Sequence, residues 1–179
     1  SQTFYKNIFS LPPAHTGLFS PDTMQFVLTK YKDINKETSI KTSEGPAEVK
    51  FEELFSTSVK RRLRSDVPVG ASLSGGLDSS SIAYFIKQQT KKSGAAFHSV
   101  SAVFPGFKKD ESKLITEISR HFKFQSSIVT PTGEGLAEDF EKLCYHQEEP
   151  FTSSSIYAQY KVYELAAANN IKVLLDGQG

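Results

Sequence analysis

The chain has 179 residues, 38% of them hydrophobic, and a formal net charge of +1. That length suits one domain with a real core plus a short appended segment, and the near-neutral charge argues against a nucleic-acid surface or a face drawn to anionic membranes. A single cysteine, Cys144, excludes an internal disulfide and a cysteine zinc cluster; with no apolar run of membrane-spanning length and no signal-peptide core at the start, a soluble cytoplasmic protein is expected.

Residues 1–47 carry no strong periodicity, and the polar, turn-rich stretch 38–46 reads as a linker. Residues 49–64 predict an amphipathic helix, with Phe51, Leu54, Phe55, Val59 and Leu63 at three- and four-residue spacing. Its last turns hold Lys60, Arg61, Arg62 and Arg64, which either solvate a dipole-matched helix end or face phosphates. Residues 69–73 read as a buried strand, broken at Gly75-Gly76, with a helix expected from Ser79 through Ile82, Ala83, Phe85 and Ile86. A second strand is expected over 97–104, ended by Pro105-Gly106. Asp110 is placed as the cap of the next helix, with Leu114, Ile115 and Ile118 on its apolar face. A third strand follows at 124–129, then a helix over 133–145 on Leu136, Phe140 and Leu143. A helix over 155–169 with Ile156, Tyr160, Tyr163 and Ala167 leads to a last strand at 171–175. Strands alternating with helices predict an α/β fold, a parallel sheet flanked by helices. Ligands of such sheets gather beyond the carboxyl ends of the strands. Three segments should therefore meet there: the loop after residue 73, the end of the strand bearing Ala102, and Asp176-Gly177-Gln178-Gly179.

The chemistry concentrates in Ser74-Gly75-Gly76-Leu77-Asp78-Ser79. A strand, a glycine turn and a helix start make an anion site, because the helix N-terminus carries unpaired N–H groups and about half a positive charge. Glycines let the backbone come close, and the hydroxyls of Ser74, Ser79, Ser80 and Ser81 are expected to add donors. Gly70 and Gly75 have the spacing of a Walker A loop, but Gly76 stands where its lysine would be. An aspartate inside an anion loop makes sense if a cation lies between it and the phosphate, so Mg²⁺ at Asp78 is inferred.

This loop resembles the pyrophosphate (PP) loop of the N-type ATP pyrophosphatases, and the fuller string over 67–81 resembles the synthetase domain of glutamine-dependent asparagine synthetases. The likeness extends over about residues 51–179 and implies an adenine nucleotide α-hydrolase-like fold. It further implies that Ser74, Gly75, Gly76, Leu77, Asp78, Ser79 and Ser80 hold the pyrophosphate of ATP, that Asp78 binds Mg²⁺, and that Leu73 and Ala102 border the adenine. Asp176 and Gly177 match the place where the family's "SGEG" string lies against the ribose and the reacting centre. The implied function is an ATP- and Mg²⁺-dependent ligase of asparagine biosynthesis. It adenylates the aspartate side chain, releasing AMP and PPi, and ammonia from glutamine attacks the product. Asp78 and Gln178 are the catalytic candidates.

Two departures accompany the resemblance. Gln178 stands where the family has glutamate; it cannot act as a base but can hydrogen-bond a carboxylate or adenylate. The sequence also begins at Ser1 and stops at Gly179. Residues 1–47, which include a loose match to the family's "I..LPPG" string at 8–14, are therefore expected to be a connector from a missing glutaminase domain. Residues 48–179 are expected to be a truncated, inactive part of the synthetase domain. Glu148-Glu149-Pro150-Phe151 resembles an acidic–Pro–Phe string near the family's substrate site, and equally suits a solvated capping loop. His15, His98, His121 and Cys144 show no paired ligand spacing. The alternatives are a β-lactam-synthetase-like cyclase that adenylates a carboxyl, or a degenerate nucleotide-binding module. The expected partners are ATP, aspartate and ammonia, with the glutaminase half in the same chain; a homodimer stays open.

Overall fold

Two units make up the chain, Ser1–Gly45 and Pro46–Gly179. The structure, a computed structural model, describes residues 2–32, 47–91 and 96–177; the expected linker at 38–46 and Gln178 lie outside the described residues.

The first unit holds an element the sequence reading passed over. Strands β1 (His15–Ser20) and β2 (Gln25–Lys30) pair antiparallel, with Ser20 opposite Gln25. The four residues 21–24 make the turn, and Met24 takes a positive φ of 49°. The available signal was a Pro21-Asp22 turn between two runs rich in Phe, Leu, Val and Thr.

The second unit carries the predicted alternation. Helix α1 (Ala47–Arg62) comes first, then β3 (Val69–Ser72), α2 (Leu77–Thr90), β4 (His98–Ala102) and α3 (Ser112–Phe122). Next come β5 (Gln125–Val129), α4 (Gly133–Gln147), α5 (Ser155–Ala168) and β6 (Val173–Leu175). The four strands form one parallel sheet in the order β5-β4-β3-β6. From β3 the chain steps outward to β4 and β5, then returns to the other side of β3 as β6. The order thus reverses between β3 and β6, and open α/β sheets bind ligands at such a switch point, beyond the carboxyl ends of the strands.

Alternation along the strands sorts the core into two faces. Ala71 and Leu175 pack with Val59 of α1 and with Ile82, Phe85 and Ile86 of α2. Leu73 and Val103, with Ala83, reach Ile115 of α3. On the opposite face Val100 meets Val162 and Ala166 of α5. A strand buried on both sides reads as a run of small and apolar residues, which is why β3 was legible.

The apolar faces of two helices differ from expectation. Of the α1 set, Phe55, Val59 and Leu63 enter the core, whereas Phe51 and Leu54 stay exposed. Helix α5 buries Tyr157, Val162 and Ala166, while Tyr163 and Ala167 face outward. This helix is apolar around most of its circumference, so periodicity alone did not fix its buried side.

One polar atom in the core stands out. Ser101 Oγ is buried and has no hydrogen-bond partner among the described residues. An unmet buried hydroxyl is destabilising. Ser101→Ala is expected to raise unfolding stability by about 1 kcal/mol, read from the urea midpoint at unchanged slope.

Candidate functional site

Beyond the carboxyl ends of β3, β4 and β6 lies an open cleft of about 510 Å³, within the range of about 300–1,000 Å³ typical of small-molecule sites. One wall is the turn from β3 into α2, a second is the end of β6, a third is the segment between β4 and α3, and a fourth is the start of α5.

The β3–α2 turn is tied by serines. Leu73 N–H donates to Val100 O at 3.0 Å, extending the sheet by one residue before the chain turns away. Gly75 then takes a φ of +83°, where a side chain would also press on Glu111 and Leu114 of the next segment. Ser79 is buried, and its Oγ accepts from Ser74 N–H at 3.3 Å while donating to Gly76 O at 3.2 Å. Ser74 Oγ lies 3.0 Å from Ser79 Oγ. These bonds fold the loop back on its helix and fix its shape without a ligand.

Two expectations about this turn are corrected. The helix starts at Leu77, with Gly76 as N-cap, because extended Gly76 already offers its carbonyl to Ser80 N–H at 3.0 Å. Asp78 is therefore in the first turn of α2, where the helix dipole favours a carboxylate. The hydroxyls of Ser80 and Ser81 are also not spare donors: they bond back to Gly76 O at 2.6 Å and Leu77 O at 2.8 Å. What α2 offers an anion are its first N–H groups, which precede the first intrahelical bond and have no side-chain cap.

Asp78 is exposed and makes no hydrogen bond or ion pair among the described residues. A free carboxylate on a helix end that attracts phosphate has the hard oxygen donors that suit Mg²⁺, which is commonly held by one or two carboxylates plus phosphate oxygens and water. The donor set therefore fits the ion, with Asp78 as the residue that would hold it.

At the end of β6, Asp176 Oδ2 accepts from Gln159 Nε2 of α5 at 3.0 Å. Gly177 follows, and its backbone lies against the start of α2. A Cβ there would stand 2.9 Å from Ser79 N and 3.1 Å from the Asp78 carbonyl carbon. Only glycine permits this approach, which joins the two sides of the switch point.

The β4–α3 wall hangs on Asp110. Its Oδ2 accepts from Ser112 Oγ at 2.5 Å, and its Oδ1 accepts from Phe104 N–H at 3.0 Å. Glu111, not Asp110, is the N-cap of α3, so the carboxylate ties the whole turn rather than the helix end alone. The Ser112 hydroxyl, then the Phe104 N–H, hold Asp110 below the ordinary carboxylate pKa, against a smaller opposing effect of desolvation. A depressed folded pKa makes this contribution complete above the unfolded value of about 3.9, and it is lost as pH falls through the lower folded value. The carboxyl carbon resonance of Asp110 is expected to titrate below that of a free aspartate, with the Phe104 amide moving in step.

Of the candidates from sequence, Leu73, Ser74, Gly76, Asp78, Ser79, Ala102, Asp176 and Gly177 line this cleft. The Leu73 side chain is only 1% exposed and faces the core, so the residue presents backbone to the cleft. Gly75, Leu77 and Ser80 line a different hollow beside Leu114 and Arg120. Residues 148–151 border a separate cavity with Phe140 and Cys144. Sequence reading missed Phe104, Phe107 and Lys109 on one wall and Ser155 and Gln159 on another. Lys109 is the only cation among the described cleft residues. The Lys108-Lys109-Asp110-Glu111 run was the available signal for the first wall; α5 gave none.

Comparison with known proteins places this cleft in a family. The asparagine synthase family model matches residues 50–179. A putative glutamine-hydrolysing asparagine synthetase of Methanocaldococcus jannaschii is 33% identical over 183 residues, covering 99% of this chain and 33% of that protein. An enzyme named amidase chyE from Penicillium rubens is 28% identical over all of the chain and 29% of its own length. The chain thus spans about a third of the curated relatives it matches. Among solved structures, the U34-tRNA thiolase NcsA of Methanococcus maripaludis superposes with a TM-score of 0.50 at 17% identity, covering 70% of this chain and 45% of that one; this likeness is one of fold and agrees with the adenine nucleotide α-hydrolase-like architecture expected. With the family model covering the entire sheet and every wall of the cleft, the chain belongs to the asparagine synthase family of ATP-dependent amidating ligases.

Proposed function

We propose that the protein containing this chain forms an amide at the expense of ATP, in the manner of an asparagine synthetase. The observation that carries this reading is the meeting, at one switch point, of a lysine-free glycine–serine loop, a free aspartate in the first helical turn, and a strand end packed against that turn. A loop without a Walker lysine suits a reaction in which pyrophosphate is held and leaves whole. An oxygen of the aspartate side-chain carboxylate attacks the α-phosphorus of ATP, and the bond to the bridging oxygen breaks, releasing PPi. Ammonia derived from glutamine then attacks the acyl carbon, the bond to AMP breaks, and loss of a proton leaves the amide.

In this reading the α2 N–H groups, Ser74 and Gly76 bind the pyrophosphate, and Asp78 would hold the ion. The chemistry that Mg²⁺ would supply there, when bound, is neutralisation of charge on the leaving pyrophosphate. Leu73 backbone and Ala102 border the adenine. Gln178 serves as a hydrogen-bonding group beside the reacting carboxyl, since an amide is no base. Residues 1–47 act as the connector from a glutaminase half. A second reading, amidation of a different carboxylic acid, is favoured by Gln178, which departs from the glutamate of the family's string at the reacting centre. The test is AMP and PPi release by the whole protein with ATP, Mg²⁺, aspartate and glutamine or ammonia. Aspartate-dependent release with asparagine formed supports the first reading; release that needs another acid supports the second. No AMP with any acid overturns both.

A further inference from the structure

Gln159 is on α5, near the helix start, in a cleft wall that the family motifs do not touch. Its Nε2 donates twice, to Asp176 Oδ2 at 3.0 Å and to Tyr163 Oη at 2.8 Å. Both residues it joins are exposed, so this is not a pair buried for packing. The amide is anchored at one end on its own helix and at the other grips the carboxylate that closes β6. A free aspartate at a strand end would sample several rotamers; tethered through Oδ2, it keeps one orientation with Oδ1 left for a ligand.

The place of Asp176 says what that ligand group is. Gly177, its neighbour, touches the Asp78–Ser79 backbone where phosphate is to bind. Asp176 is therefore about one residue, some 3.8 Å along the chain, from the phosphate subsite. The unit of a nucleotide next to its α-phosphate is the sugar, whose hydroxyls are neutral donors. An ionised carboxylate is an acceptor only, and it repels phosphate while welcoming hydroxyls. Acidic residues beyond strand ends of open α/β sheets bind sugar hydroxyls in this way.

We propose that Gln159 is a positioning residue, which holds the Asp176 carboxylate to accept the sugar hydroxyls of the nucleotide and so sets preference for a ribonucleotide. This inference rests on the ATP reading given above. The test compares binding of Mg²⁺-ATP and Mg²⁺-2′,3′-dideoxy-ATP to the whole protein by calorimetry. Wild type is expected to favour ATP by about tenfold, the worth of a hydrogen bond to a charged group. Gln159→Leu should lose most of that preference while binding the dideoxynucleotide as before. In the Asp176→Asn background, which keeps the side-chain shape, Gln159→Leu should add little, because two residues acting as a unit are not additive.

Equal weakening of both nucleotides by Gln159→Leu, or full additivity with Asp176→Asn, overturns the proposal and makes Gln159 structural. A wild type that binds both nucleotides equally overturns it while leaving the ATP reading intact. A wild type that binds neither removes both.

Discussion

Asp78→Asn is expected to lower the rate of PPi formation by about 10²–10³-fold, the loss that follows removal of one group stabilising transition-state charge. The substitution keeps the side-chain volume and removes the negative charge. Asp78 is exposed and unpartnered among the described residues, so the fold should notice only the lost helix-dipole interaction, a few tenths of a kcal/mol and up to about 1. Activity and stability should thus separate sharply. The measurement is steady-state PPi release across a Mg²⁺ series, with thermal unfolding of the same samples. A variant that keeps wild-type rate at low Mg²⁺ contradicts the assignment of the ion to Asp78.

Gly177→Ala is expected to damage both stability and binding. The added methyl would lie 2.9 Å from Ser79 N and 3.1 Å from the Asp78 carbonyl carbon. Both are backbone atoms of a helix start pinned by the Ser74–Ser79 bonds, so neither can swing aside as a side-chain tip would. Overpacking of this kind costs about 1–3 kcal/mol. Relief requires β6 and α2 to part, which opens the switch point where the phosphates are to sit. Urea unfolding should show the stability loss, and ATP titration should show weakened binding. Unchanged values in both would mean the two elements are further apart than the structure has them.

Legibility of the fold followed burial. Strand β3 was visible because a central strand covered on both faces leaves a run of small and apolar residues, as at 69–73; the edge strands β5 and β6 are more exposed and owed their placing to the helices on either side of them. The turn after β3 was visible because glycine and serine choices there answer to local geometry. The helix was expected from Ser79 and begins two residues earlier, at Leu77, with Gly76 as its N-cap. In the structure Ser79 is already inside the helix, and its hydroxyl staples the loop. The hairpin of the first unit was missed because its strands are largely exposed and show no clean alternation.

The remaining cleft walls answer to tertiary contacts. Gln159 sits on a helix whose buried side periodicity did not reveal, and its role exists only because β6 ends opposite it. Lys109 and Phe107 belong to a turn whose path is set by the Asp110 carboxylate binding Phe104 N–H, six residues back. The motif marked the turn after β3; the residues that shape the rest of the cleft are brought there by the sheet.

The central claim is that a carboxylate oxygen attacks the α-phosphorus of ATP, and isotope transfer tests it most directly. The whole protein would be supplied with ATP, Mg²⁺, ammonia and aspartate carrying ¹⁸O in its side-chain carboxylate. Mass spectrometry of the products should find one ¹⁸O in AMP and none in PPi. Label in inorganic phosphate alongside ADP, or AMP free of label, would contradict the account.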